Sequence, residues 1–429
     1  MRPEELHVLI LTRVIAPLHG IGGLERHGRD LLWHLLDRGV RVSLITQPPY
    51  RTDTEAALAH ERLTTHFVPY WTFPLAGHRG TTIIDRSTAY PCFGWRAGRL
   101  AACLVRQGGI HLVHGMGAAT LGYAAARRAD WYETVPLLFN PHGMEEFGST
   151  GPGLNIAKHL AYAPLRAAVR RCAGAADRVI ATDSVLVPTV LAHLGVEPLR
   201  VVVVPNAVDV DSIDRARATG PGRVLRERAG VSPDDTLLLA VGRLEENKGY
   251  HILVEALARL SRAGADGMSR RTSRWQLVLL GDGTQRTGLE RAAAAAGLGG
   301  SVQMPGRVSD AELHAWYDAA NLFVHPSLYE GSSIVTLEAM AHRLPVVATT
   351  SGGLPDKVRP GENGWLVEPG DAEALSGALE SALSDPARLQ EMGRRSRAII
   401  DGEFAWPVVV DRLFSVYDEL LAHAVEAPS

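Results

Sequence analysis

A chain of 429 residues, 46% hydrophobic and 21% charged, is too long for one ordinary core, so two domains are expected and a single small binding module is excluded. Its net charge of -3 hides an asymmetry: residues 1–205 carry 21 Lys+Arg against 16 Asp+Glu, and residues 206–429 carry 23 against 31. The basic half suggests an anionic partner or an unevenly solvated surface, while the scatter of its cations and the lack of a nucleic-acid motif argue against nucleic acid.

Apolar runs such as Val8–Leu11 and Val201–Val204 fall far short of a bilayer span. Met1 to Glu5 holds two acids and lacks a basic leader, so nothing argues for secretion. Cys92, Cys103 and Cys172 are too few and scattered for a disulfide framework, and a reducing cytoplasm fits.

Short Val/Ile/Leu runs alternate with helical stretches, which points to an α/β fold of parallel sheets with crossover helices. In the first half the strand candidates are Val8–Leu11, Arg41–Thr46, His111–His114, Val135–Asn140, Arg178–Ala181 and Arg200–Val204. In the second they are Thr236–Val241, Gln276–Leu280, Val302–Met304, Leu322–His325 and Pro345–Thr349. Pro205 to Gly222 mixes acids, Pro and Gly and reads as the linker. The expected domains are therefore 1–205 and 206–405. The Gly/Ser/Arg-rich stretch Ala263 to Arg274 reads as an exposed loop. Trp406 to Ala424 has Val409, Leu413, Val416, Leu420 and Leu421 at helical spacing, a helix with one face on a core, expected to pack back on the first domain.

Ser327 to Ala341 follows a strand and opens a helix, with Glu330 and Glu338 eight positions apart. On a continuous helix that spacing separates them by about 12 Å, too far to act on one atom but suited to two ends of an extended ligand. The amides of Gly331, Ser332 and Ser333 at the helix start suit a phosphate or sugar hydroxyls. The plain structural alternative makes Glu330 a dipole partner and Glu338 a surface residue.

Gly242-Arg243-Leu244-Glu245-Glu246-Asn247-Lys248-Gly249 also lies just past a strand end, where ligands bind in such folds. A planar guanidinium and a compact ammonium together can neutralise a diphosphate, although such a turn is more often solvated surface. His19-Gly20-Ile21-Gly22-Gly23-Leu24-Glu25 joins the first strand to a helix ending near Leu36, and its glycines let backbone approach a ligand. His142 follows another strand and is either structural or catalytic.

Other chemistries lack their motifs. Thr120 stands where a dinucleotide fingerprint starting at Gly115 needs Gly or Ala. Asp209-Val210-Asp211 has metal-compatible spacing but lies in the linker, so no metal is expected there. There is no P-loop, Gly-x-Ser-x-Gly elbow or His-Glu-x-x-His.

These residues resemble the retaining glycosyltransferases of the GT-B fold, family 4. The resemblance is carried by Gly242-Arg243…Lys248-Gly249, Gly281-Asp282-Gly283, Glu330…Glu338 and Gly352-Gly353, in that order, and by a segment read as a hairpin, Asn363 to Asp371. It is dense over 200–385 and sparse earlier, where Gly22-Gly23, His142-Gly143 and Val204 to Asp209 are its anchors. It implies two Rossmann-like domains facing a cleft. By resemblance, Arg243 and Lys248 hold the donor diphosphate without a metal or cofactor, Glu338 binds the ribose, and Glu330 faces the donor sugar. Gly22 and Gly23 approach the phosphates, His142 lies by the sugar, and Arg307 falls in the loop that touches the base. Gly281, Gly331, Ser332, Ser333 and Ile334 complete the donor site. Ser332 and Ser333 replace a bulky residue and a glycine common in the family, Arg343 replaces its usual Gly, and Asp356 stands where Glu is general.

The expected activity is retaining transfer of a hexosyl unit from a nucleotide sugar, UDP-linked by preference, to a sugar, lipid-linked or small-molecule acceptor. A nucleotide-sugar epimerase or phosphorylase on the same fold, and a non-catalytic nucleotide-sugar sensor, are the alternatives. Tyr70-Trp71-Thr72-Phe73 and Tyr90 to Trp95 are candidate acceptor-loop anchors or aromatic core. The helix candidate Ala157–Arg171, with Lys158, Arg166, Arg170 and Arg171, presents either a solvated face or a peripheral contact with an anionic membrane.

Overall fold

The computed structural model describes residues 2–20, 22–51, 57–72, 82–127, 135–142, 147, 156–218, 220–265 and 274–426. The chain forms two compact units, Met1–Asn206 with Val409–Ser429, and Ala207–Val408.

The first unit holds β1 (His7–Leu11), β2 (Arg41–Thr46), β3 (Leu63–Phe67), β4 (Leu112–Met116), β5 (Leu137–Asn140), β6 (Arg178–Ala181) and β7 (Val201–Val203). The second holds β8 (Thr236–Val241), β9 (Trp275–Leu280), β10 (Val302–Gly306), β11 (Leu322–His325), β12 (Val346–Thr349) and β13 (Gly364–Val367). All pairs are parallel, in the orders β3-β2-β1-β4-β5-β6-β7 and β10-β9-β8-β11-β12-β13. Both start from a central strand, wind outward and reverse, which is the doubly wound Rossmann order. The reversal points lie between β1 and β4 and between β8 and β11.

The apolar runs explain the layering. Every residue of β8 is buried, as a parallel strand covered on both faces requires. Leu237, Leu239 and Val241 enter one core, and Leu238 and Ala240 enter the other, because successive side chains point to opposite faces. At roughly 1.5 to 3 kcal/mol per buried large apolar side chain, these layers dominate the stability of the sheet.

Several expectations are corrected. β3 was not anticipated, because Leu63-Thr64-Thr65-His66-Phe67 is a mixed run at the sheet edge. Asn363 to Asp371 is not a hairpin: β13 pairs in parallel with β12. The chain then turns into the helix Ala372–Leu383, whose N-cap Asp371 accepts the Ala374 N–H at 2.8 Å. The linker Pro205 to Gly222 contains the helix Val210–Ala218 and the start of Pro221–Arg228. Asp209 receives the Ser212 N–H at 2.9 Å, so residues that signalled a loop serve as a helix cap and a first-turn proline.

Ala157–Arg171 is not one helix but Ile156–Ala161 followed by Ala163–Ala175. Arg166 is buried and donates to the His159 carbonyl, and Arg170 donates to the His193 carbonyl, so these two cations are turned onto the protein. Tyr90 to Trp95 lies inside the helix Thr82–Arg106 rather than in a loop, and Phe93 is core. Tyr70 donates to Asp85 and packs on Phe93, while Trp71 is 69% exposed beneath the Arg96 guanidinium. Phe73 and residues 266–273 of the expected loop lie outside the described residues, and the helix Tyr250–Ala265 takes up the start of that loop.

The helix Trp406–Glu426 buries Val409, Leu413, Val416 and Leu420, and from Val409 onward it belongs to the first unit. There Tyr417 shares a 2.8 Å hydrogen bond with His114 Nδ1. A cavity of about 710 Å³ lies beside Pro136, Asp177 and Arg200, at the amino ends of β5 to β7. Its Arg127 and Arg200 donate to carbonyls that end the helix Ala163–Ala175, which satisfies groups a helix terminus leaves open. Among the described residues no helix is long and apolar enough to cross a membrane.

Candidate active site

In the second unit the candidate residues gather at the carboxyl ends of β8 and β11, the neighbours at the reversal point. After β8 the chain turns through exposed Arg243 into a short helical turn, Glu246–Lys248. After β11 it runs through Pro326 to Ser333 before the helix Ile334–Ala341. Lys248 Nζ lies 2.8 Å from Glu330 Oε2, His325 Nε2 lies 2.7 Å from the same oxygen, and Ser327 Oγ lies 3.3 Å from it. Burial alone would push the Glu330 carboxyl up. The hydrogen bond from His325, with the charge and hydrogen bond of Lys248, instead holds it well below the usual carboxylate range.

The backbone of Glu330 is fixed from the far side. Its N–H donates to Ser351 Oγ at 3.0 Å, and the Gly331 carbonyl accepts from Gly353 N at 2.8 Å. Gly352 has φ +56, and a Cβ there would collide with the Glu330 carbonyl, so the Gly-Gly turn is a close-packing requirement. Gly281 is likewise pressed against the Gly242 carbonyl, tying the turns after β9 and β8 together.

Ser333 caps the helix, accepting from Thr336 N at 3.3 Å, while Gly331, Ser332 and Ile334 are half-buried. Buried Lys357 donates to Ser332 Oγ at 3.2 Å and to the Gly353 carbonyl at 3.1 Å. Glu338 is 6% exposed and accepts from Tyr317 Oη at 3.0 Å, so it is not the surface residue of the plain alternative. Arg307 is exposed, just past Gly306. Arg343 adopts φ 64, the left-handed conformation that favours glycine after a helix. Among the described residues no group of three His, Cys, Asp or Glu is placed to hold a metal.

In the first unit, Gly22 is the N-cap of the helix Gly23–Asp37, and both glycines are exposed. A Cβ on Gly22 would run into the Glu25 carboxylate. His142, past the end of β5, has φ 58, and its N–H donates to Asn140 Oδ1 at 2.9 Å. Its ring meets His27 edge to face at 5.8 Å. Burial, then the neighbouring His27 and His114, holds it well below the usual imidazole range. Among the described residues its solvent-excluded Nε2 has no partner. His19 is buried against the Ile15 and Gln47 backbone and is structural.

The structure thus brings together Lys248, Glu330, Gly331, Ser332 and Ser333. His325, Ser327, Tyr317, Ser351 and Lys357 were missed in the sequence. The only signal for His325 was its place at a strand end, five residues before Glu330.

The chain is similar to known glycosyltransferases over nearly its whole length. Residues 223–399 match the family model described as glycosyl transferases group 1, and residues 21–212 match glycosyltransferase family 4. A D-inositol 3-phosphate glycosyltransferase of Gordonia bronchialis is 28% identical, covering 93% of this chain and 84% of that protein. D-inositol 3-phosphate glycosyltransferase 1 of Catenulispora acidiphila is 31% identical, covering 75% and 70%. Among solved structures, Anabaena Alr3699/HepE in complex with UDP-glucose superposes with a TM-score of 0.67 at 20% identity, covering 96% of this chain and all of that one. That likeness is one of fold, and the fold is GT-B.

Proposed function

The chain belongs to the glycosyl transferases group 1 family, and from that premise we propose that it transfers a hexosyl unit from a UDP-sugar to a small phosphorylated or sugar-like acceptor, with retention at the anomeric carbon. The carrying observation is the convergence of Lys248 and His325 on one oxygen of Glu330 at the reversal point of the second sheet. The UDP-glucose in the Anabaena structure supports the choice of donor class, and the inositol phosphate named for the relatives supports the acceptor class. The basic balance of residues 1–205 agrees with an anionic acceptor.

The chemistry follows charge. As the anomeric C–O bond breaks, electrons move onto the diphosphate and positive charge grows on the sugar ring. Arg243 and Lys248 stabilise the diphosphate; an ammonium carries three donors, and Glu330 takes one from Lys248. The Glu330 carboxylate faces the ring. The acceptor hydroxyl attacks from the side the phosphate leaves, and its proton passes to the departing phosphate oxygen. Two positioned cations supply the counter-charge, so no metal is required. Peripheral membrane contact, through exposed Trp71 with Arg96, is the remaining element, checked by sedimentation with anionic vesicles at low and high salt.

Purified protein mixed with UDP-, GDP- and ADP-sugars, with nucleotide release followed, tests the proposal. Release from a UDP-sugar, lost in Lys248→Ala and Glu330→Ala and kept in EDTA, is expected. Release from none of them, with or without inositol phosphate, overturns it. Sugar interconversion without an acceptor, or turnover that needs free phosphate, points to an epimerase or a phosphorylase.

A further inference from the structure

We propose that His325 is a positioning residue that decides which oxygen of Glu330 meets the donor sugar, an inference that rests on Glu330 facing that sugar. His325 ends β11, is 2% exposed, and stacks on Phe323 with ring centres 6.0 Å apart and planes 25° from parallel. The stack and the strand fix its ring, so Nε2 is held in place before any ligand arrives.

From there it reaches Glu330 Oε2 at 2.7 Å, with Lys248 Nζ at 2.8 Å and Ser327 Oγ at 3.3 Å on the same oxygen. A carboxylate offers about four acceptor positions over two oxygens. Two short contacts on Oε2, from His325 and Lys248, with the single Ser327 proton shared among Oε2 and the Asn247 and Tyr329 carbonyls, hold the terminal torsion, which is otherwise broad and two-fold. Among the described residues no hydrogen bond goes to Oε1, which is left for the ligand. Lys248 alone cannot impose this orientation, because an ammonium on a four-carbon stem is a point charge that follows either oxygen. The rigid imidazole can. His325 therefore acts through Glu330 without touching the donor, and its removal slows turnover while leaving ground-state binding of the nucleotide in place.

The comparison is His325→Phe, which keeps the ring and the stack but removes the donor, against His325→Gln, which restores an N–H near the position of Nε2. The expected result is a 10- to 100-fold fall in kcat for donor hydrolysis in His325→Phe. KM for the donor and the affinity for UDP stay within 3-fold of wild type, and His325→Gln recovers much of the loss. Unchanged kcat in His325→Phe, a loss confined to KM, or no recovery in His325→Gln overturns the proposal. The contact itself is read without turnover. In ¹⁵N-histidine-labelled protein a slowly exchanging imidazole proton is expected, absent in His325→Gln and lost in Glu330→Ala. Its absence from the wild type overturns the positioning role even if a UDP-sugar is turned over. Its presence with no donor turned over instead overturns the proposed transferase activity.

Discussion

Lys248 and Glu330, 82 residues apart in the sequence, place Nζ and Oε2 2.8 Å from each other at the ends of adjacent strands. Both side chains are largely out of solvent, at 16% and 12% exposure, so each carries charge the other must offset. Removing Lys248 leaves the buried Glu330 carboxylate without its ammonium, and removing Glu330 leaves the Lys248 charge without its carboxylate. Lys248→Met is expected to cost about 2 to 4 kcal/mol in denaturant titrations, and turnover falls at least about 100-fold. The double variant Lys248→Met, Glu330→Gln recovers part of the stability but none of the activity, a coupling that a double-mutant cycle measures.

The Gly352 turn is expected to be as intolerant as the charges. Gly352→Ala puts a Cβ into the Glu330 carbonyl at a left-handed φ, and the backbone conformation alone costs about 1 to 2 kcal/mol. The clash displaces Glu330, so thermal melts show a lower Tm and donor hydrolysis is lost. Gly299→Ala, where a Cβ meets nothing within 4 Å, leaves both unchanged.

Acid stability follows from the buried histidines of the first unit. Burial lowers His27 to about 4 and, with His27 as a neighbour, lowers His114 to about 3, against 6.5 in the unfolded chain. Below pH 6.5 the unfolded chain binds protons the folded one refuses, so stability is fully present above pH 6.5. It falls with pH until these folded values are reached. Each such histidine contributes a slope of up to about 1.4 kcal/mol per pH unit. Urea midpoints between pH 6.5 and 4 therefore fall in wild type and fall less steeply in His27→Gln.

A buried hydrogen bond helps to anchor the last helix. Tyr417→Phe removes the hydroxyl at His114 Nδ1 without changing the packing. A loss of about 1 to 2 kcal/mol is expected. An unchanged melting curve would mean that this hydrogen bond adds nothing to the other contacts that hold the helix.

Arg343, held at φ 64 just after the helix Ile334–Ala341, is a place where stability can be gained. Glycine fits that position without the Cβ penalty. Arg343→Gly is expected to raise stability by about 0.5 to 1 kcal/mol in chemical denaturation, with turnover unaffected.

Much of this was legible in the residues because the governing signals are local. Leu237 to Val241 is an unbroken apolar run, and such a run flanked by turns and helices is a doubly covered parallel strand in almost any context. Arg243, Lys248, Glu330 and Gly352 each lie two to seven residues past the end of a strand, so their place near the carboxyl ends follows from chain continuity. Local signals failed where one residue serves two purposes. Asp209 reads as loop yet caps a helix. Gly364 to Val367 reads as half of a hairpin, yet its partner is β12, which precedes it.

The sequence by itself determined the α/β class, the strands of the two sets apart from β3 and β13, and which charged residues and glycines stand near strand ends, because each depends on contacts within a few positions. Only the tertiary structure decided that His325 and Lys248 share one oxygen of Glu330, that Glu338 is buried against Tyr317, and that Tyr417 reaches His114, 303 residues away. Those contacts require β11 to lie beside β8, with Leu322 against Leu238 and Phe323 against Leu239, and the last helix to return to the first unit. Strand order and register are settled by how crossover helices cover the sheet and fill both cores, a condition on the whole chain that no short stretch of sequence carries.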